Sequence, residues 1–148
     1  MTPAALTRRA ALAATTLLLQ TPSRAAEPEL ADAIRAWAGS AVPRDGRVTI
    51  EIAPLVENGN AVPVTVRVQS PMTEADHVRE IALFNERNPQ RDVLRAILGP
   101  ANGRAEISTR IRLATSQQLV ALARMSDGSV WQQRVAVVVT LAACIEGG

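Results

Sequence analysis

The 148-residue chain has no lysine and no tyrosine, and only one cysteine and one histidine. Its aromatic side chains are Trp37, Trp131 and Phe84, 2% of the sequence. Each shortage closes off a class of function. A single thiol excludes an intrachain disulfide and any cysteine-based zinc cluster. So few aromatics provide no stacking platform for single-stranded nucleic acid. No apolar run approaches the roughly 20 residues that a membrane-spanning helix needs, so no permanent membrane anchor is expected. What the chain does have is 47% hydrophobic against 20% charged residues, enough to bury a core. The length suits one domain.

All 16 basic residues are arginines, and their placement is informative. Arg8 and Arg9 precede the modestly apolar run Ala10 to Leu19, and Ser23 and Ala25 offer the small residues of a cleavage site. This is the layout of an export signal over residues 1–25. Thr7-Arg8-Arg9-Ala10-Ala11-Leu12 resembles a twin-arginine signal, with an ordinary secretory leader as the alternative. Both routes lead out of the cytoplasm, and the expected location is the periplasm. Loss of residues 1–25 removes three arginines and no acid, leaving 13 Arg against 14 Asp plus Glu. The mature chain is then nearly neutral, and nothing favours a nucleic acid or an anionic membrane as partner.

Within residues 26–46, Leu30, Ile34, Trp37 and Ala41 form one apolar stripe, so Pro28 to Ala41 is expected to form a short helix. Trp37 is read as the residue that docks this helix on the core. From Arg47 the period becomes two, as in half-buried strands. Val48, Ile50 and Ile52 alternate with polar neighbours, and Val62, Val64, Val66 and Val68 form a second inward row. Pro54 and Glu57-Asn58-Gly59-Asn60 are expected to make the turn between them, and Pro63 to lie at an edge or bulge. Further strands are expected over His77–Phe84, Val93–Leu98, Ala105–Leu113, Gln118–Met125 and Val135–Leu141. Asp127-Gly128 marks a hairpin. About seven short strands with regular turn signals predict an all-β, antiparallel sandwich of immunoglobulin-like type over residues 47–141.

Residues 142–148, Ala-Ala-Cys-Ile-Glu-Gly-Gly, follow as a short C-terminal arm that is expected to be flexible. Cys144 is thereby placed where a thiol is hard to bury. An unpaired cysteine in an exported protein has three readings: an intermolecular disulfide, incidental exposure, or a site of covalent attachment. No base, metal cluster or phosphate loop accompanies it. His77 lies near 70 residues upstream and reads as a solvated or core-edge histidine. Met72, Met125, His77 and Cys144 are too scattered to specify a copper site. The chemistry therefore suits a carrier better than an enzyme. The alternative is a non-catalytic secreted interaction protein whose cysteine is structural or joins subunits.

Several ordered segments resemble the SoxY family, the sulfur-carrier subunits of bacterial thiosulfate oxidation. They are Glu57-Asn58-Gly59-Asn60-Ala61-Val62-Pro63-Val64, Ser70-Pro71-Met72-Thr73-Glu74-Ala75-Asp76-His77-Val78, Ile81-Ala82-Leu83-Phe84-Asn85-Glu86-Arg87-Asn88-Pro89, Ala105–Leu113 and Met125-Ser126-Asp127-Gly128. The resemblance implies an immunoglobulin-like sandwich paired with a SoxZ-like β-sandwich subunit. It implies attachment of sulfur species to Cys144, with Ala143 and Ile145 shaping access, and no cofactor. Its implied partners are a c-type cytochrome that makes the link, a hydrolase that releases sulfate and a sulfur dehydrogenase. The arm departs from the family's usual Gly-Gly-Cys-Gly-Gly ending. Ala142 and Ala143 are stiffer than glycine, and Ile145 and Glu146 add bulk and charge beyond the thiol.

Overall fold

The computed structural model describes residues 26–143. One helix, α1 (Ala26–Ala38), precedes nine strands among these residues: β1 (Arg44–Asp45), β2 (Val48–Glu51), β3 (Leu55–Asn58), β4 (Val62–Val68), β5 (Val78–Asn85), β6 (Asp92–Ile97), β7 (Glu106–Ile111), β8 (Gln117–Met125) and β9 (Val130–Leu141). A 3-10 turn spans Pro100–Asn102.

The helix carries Glu27 and Glu29 in its first turn and Arg35 in its last, complementing its dipole. It ends three residues before the expected Ala41. Gly39 adopts φ +65° and its N–H bonds back to the Arg35 carbonyl, a left-handed cap that stops the helix before Pro43 is reached.

The strands form two sheets. The larger runs β1-β9-β8-β5-β6, with β3 also paired to β9; the smaller runs β2-β4-β7. The antiparallel sandwich that the alternation predicted is present. Two short parallel pairings, β1 with β9 and β3 with β9, extend it. Pro63 lies in the central strand of the smaller sheet, yet β2 pairs only with Thr65–Val68. Pro63 is registered with Arg110 of β7 but lies beyond the stretch that β2 pairs, so the start of β4 has a neighbouring strand on one side only.

Two cores stack on the larger sheet. Between the sheets lie Val48, Ile50, Val62, Val64 and Val66 against Ile81, Leu83, Leu119, Ala121 and Val137. On the outer face, Leu30, Ile34, Trp37 and Ala38 of α1 cover Ala82, Phe84, Val120, Leu122 and Val130. Trp37 docks the helix, as expected. β5 and β8 are therefore buried on both faces, which is why their apolar residues run continuously instead of alternating. Each such Val, Leu or Ile contributes about 1.5–3 kcal/mol by leaving water.

The segment expected to be only a turn, Pro54 to Asn60, holds strand β3. Leu55, Val56 and Asn58 register with Val138, Val139 and Leu141. This pairing bridges more than 80 residues, beyond the reach of local periodicity. It also brings Gly59 beside the end of β9.

Candidate functional site

The end of β9 meets two other backbones just before the cysteine. Gly59 donates its N–H to the Leu141 carbonyl at 2.8 Å. Leu113 donates to the Gly59 carbonyl at 2.8 Å, and Ala143 donates to the Leu113 carbonyl at 3.1 Å. Leu113 is fully buried and Ala143 is 7% exposed. Ala142 lies between the two anchored residues with an exposed side chain. The expected arm is thus held through its first two residues; Cys144, Ile145 and the rest of it lie outside the described residues.

Gly59 makes this junction possible. A Cβ there would stand 2.3 Å from the Leu113 carbonyl oxygen, 3.0 Å from the Ala143 nitrogen and 3.2 Å from Val139 Cγ1. The first distance is far inside van der Waals contact and involves backbone, so the neighbours cannot rotate away. The Glu57-Asn58-Gly59-Asn60 cluster signalled a turn, but close packing is what demands glycine.

Loops from two other strand connections surround this end of the sandwich. Asn88 binds three groups of the β7–β8 connection: its Oδ1 accepts from Ala114 N at 3.0 Å and from Gln117 Nε2 at 2.8 Å, and its Nδ2 donates to the Arg112 carbonyl at 2.8 Å. Ser116 accepts from Val139 N through Oγ at 2.8 Å, tying the same connection to β9. Leu55 and Val138, cross-strand neighbours in β3 and β9, are 57% and 52% exposed, and Leu141 is 61% exposed. The arm root is therefore braced by buried backbone bonds and bordered by apolar surface.

The other residues weighed from the sequence do not converge. His77 donates through Nδ1 to the Thr73 carbonyl at 3.0 Å, matching its reading as a core-edge histidine. Met72 and Met125 are core residues, and Met72 Sδ accepts the Val78 N–H at 3.4 Å. Among the described residues there is no group of three or more His, Cys, Asp or Glu that could hold a metal ion. No helix of the described residues is long and apolar enough to cross a membrane.

Charged groups elsewhere pair with one another. On the outer face of the smaller sheet, Arg67 binds Glu51 and also Glu106, the latter through Nε at 2.6 Å. That hydrogen bond holds the Glu106 carboxyl below its usual range, aided by the charges of Arg67 and Arg104. At the β8–β9 hairpin, Ser129 donates to Asp127 from both hydroxyl and N–H, lowering the Asp127 carboxyl. Arg44 and Arg47 lie 4.5 and 5.3 Å from the Trp131 ring centroid and add to that lowering. These arrangements brace strands and a hairpin. None sets a nucleophile beside a base.

The family model described as sulfur oxidation protein SoxY matches residues 34–144, so its match ends on Cys144. No curated protein sequence matches significantly. Among solved structures, the sulfur carrier protein SoxY from Chlorobium limicola f thiosulfatophilum superposes with a TM-score of 0.66 at 28% identity, covering 78% of this chain and 99% of that one. A superoxide reductase (neelaredoxin) from Ignicoccus hospitalis gives 0.56 at 22% identity, covering 64% and 80%. The superoxide reductase from Nanoarchaeum equitans gives 0.55 at 13%, covering 65% and 100%. The two reductases share the fold alone. With a family match that spans three quarters of its length and closes on its single cysteine, this chain belongs to the SoxY family of sulfur oxidation proteins.

Proposed function

We propose that this protein carries sulfur intermediates covalently on Cys144 in the periplasm and presents them to separate enzymes. The observation that carries the reading is the family match, which runs to Cys144 and ends there. The structural support is the anchored Ala143, the residue immediately before Cys144 in the sequence.

The chemistry needs a thiolate and partners, and no base of its own. Cys144 and thiosulfate would join through a new S–S bond, releasing one proton and two electrons to a c-type cytochrome. Hydrolysis of the terminal S–S bond would then release sulfate and leave a persulfide on Cys144. A sulfur dehydrogenase would oxidise that remaining sulfane sulfur. The carrier itself breaks no bond unaided. In this reading residues 1–25 are the export leader, twin-arginine in type, residues 47–141 the carrier domain and residues 142–148 the arm. A SoxZ-like β-sandwich subunit would be its stable partner, and Ala143 and Ile145 would shape access to the sulfur.

Intact-mass measurement of the protein isolated from its periplasm tests this directly. Wild type should gain sulfur on exposure to thiosulfate with the partner enzymes, and Cys144→Ser should not. A wild type that never gains mass under those conditions overturns the carrier reading. Co-purification of a small β subunit checks the partner separately.

A further inference from the structure

We propose that Gly59 is a positioning residue that locks the root of the sulfur-bearing segment, so that Cys144 is presented from a fixed point and not from a free arm starting at the end of β9. This inference rests on the carrier reading above and says how far the cargo can travel.

The lock has three bonds. Leu141 and Ala143 are held by Gly59 and Leu113 respectively, while Leu113 and Gly59 are bonded to each other. The tail is therefore secured on both sides of Ala142. The bond to Ala143 is screened from water, because Leu113 is fully buried and Ala143 is 7% exposed. A shielded backbone bond is costly to leave unmade. Alanine suits the position because fixing it loses less backbone freedom than fixing glycine. Gly59 permits the junction, since any Cβ there would strike the Leu113 carbonyl oxygen at 2.3 Å and crowd the Ala143 nitrogen at 3.0 Å.

The consequence concerns reach. Covalent geometry sets the Cys144 Cα about 3.8 Å from that of Ala143, and each further residue freed upstream would add at most about 3.5 Å. Release of Ala142 and Ala143 would thus lengthen the tether by about 7 Å. With the root locked, a partner enzyme must bring its active site to this end of the sandwich. Its entrance must fit the rim formed by the β3–β4 turn and the β7–β8 connection.

The test uses the full chain, expressed with its own N-terminal segment, in four forms: wild type, Ala142→Pro, Ala143→Pro and Gly59→Ala. Ala143→Pro deletes the donated N–H and lies beyond the last strand, so no ladder bond of the sandwich is lost. Ala142→Pro puts the same ring in the tail but keeps the Ala143 bond. Two readouts are compared: amide hydrogen exchange at Ala143, and the rates at which Cys144 takes up iodoacetamide and takes up sulfur from the partner enzymes. In wild type the Ala143 amide should exchange at least about tenfold slower than in an unstructured peptide, the equivalent of about 1.4 kcal/mol. Enzymatic sulfur loading should fall about tenfold or more in Ala143→Pro and Gly59→Ala, and stay near wild type in Ala142→Pro, while the iodoacetamide rate of Gly59→Ala changes little. Unprotected exchange at Ala143, or Ala143→Pro loading as fast as wild type, overturns the lock. If Gly59→Ala does not fold, Ala143→Pro decides. A wild type that takes up no sulfur overturns the carrier reading, and exchange at Ala143 then decides the lock on its own.

Discussion

Arg124 grips Trp37 in two ways: its guanidinium lies 4.6 Å from the centre of the indole ring and donates to the Trp37 backbone carbonyl at 2.6 Å. The indole N–H in turn donates to Glu80 at 2.8 Å, and Glu80 lies 3.9 Å from Arg124. The strands β5 and β8 thus hold the end of α1 by a face, an edge and a carbonyl. Helix formation alone would not secure a 13-residue segment, because isolated helices of that length are marginal in water.

Trp37→Phe keeps an aromatic face for Arg124 but leaves Glu80 without the indole donor. It should destabilise the fold by about 1 kcal/mol, and Arg124→Ala by about 1–2 kcal/mol. Denaturant unfolding measures both. The double variant should cost less than the sum of the two, since each side chain contacts the other. Full additivity would show that they act independently.

Asn88 should matter more than its place in a polar loop suggests. Truncation to alanine removes three bonds at once; the Ala114 N–H and the Arg112 carbonyl lose their Asn88 partner, while Gln117 Nε2 keeps its bond to the Thr115 carbonyl. Asn88→Ala should cost about 1–3 kcal/mol. Faster amide exchange in residues 112–117 than in β5 would locate the damage at the β7–β8 connection.

Leu122 lies fully buried under α1, whereas Leu55 is 57% exposed on β3. Leu122→Ala should cost about 2–5 kcal/mol through lost burial and a residual cavity. Leu55→Ala should stay within about 0.5 kcal/mol. Comparable losses in the two variants would contradict the burial described for the outer core.

Acid should weaken the fold through Glu106 and Asp127. Both carboxyls titrate lower in the folded chain than their ordinary values of 4.5 and 3.8. Below those values the unfolded chain binds more protons than the folded one. Their stabilisation is therefore complete above about pH 4.5 and is lost as pH falls through the lowered folded values. Melting temperatures measured downward from about pH 6 should fall in that range, and Glu106→Gln with Asp127→Asn should flatten the curve.

Much of the sandwich was legible because its signals are local. The row Val62, Val64, Val66, Val68 alternates over one strand, and Asp127-Gly128 closes the β8–β9 hairpin between adjacent segments. The helix stripe of Leu30, Ile34 and Trp37 needed nothing beyond its own spacing. Strand β3 was not legible. Leu55 and Val56 sit between Pro54 and Asn58-Gly59, and only the distant β9 makes them a strand. The fuzzy pattern of β5 likewise resolves only when both of its faces are seen to be covered.

The sequence by itself determined most of the strands, the docked helix, the near-neutral charge beyond residue 25 and the singular thiol, because composition and short-range periodicity encode them. Only the tertiary structure decided where the tail is held. Nothing in Ala142-Ala143-Cys144 announces an anchor. The anchor arises from Leu113, which binds Ala143, and Gly59, which binds Leu141, remote in sequence and brought together only because Gly59 has no side chain.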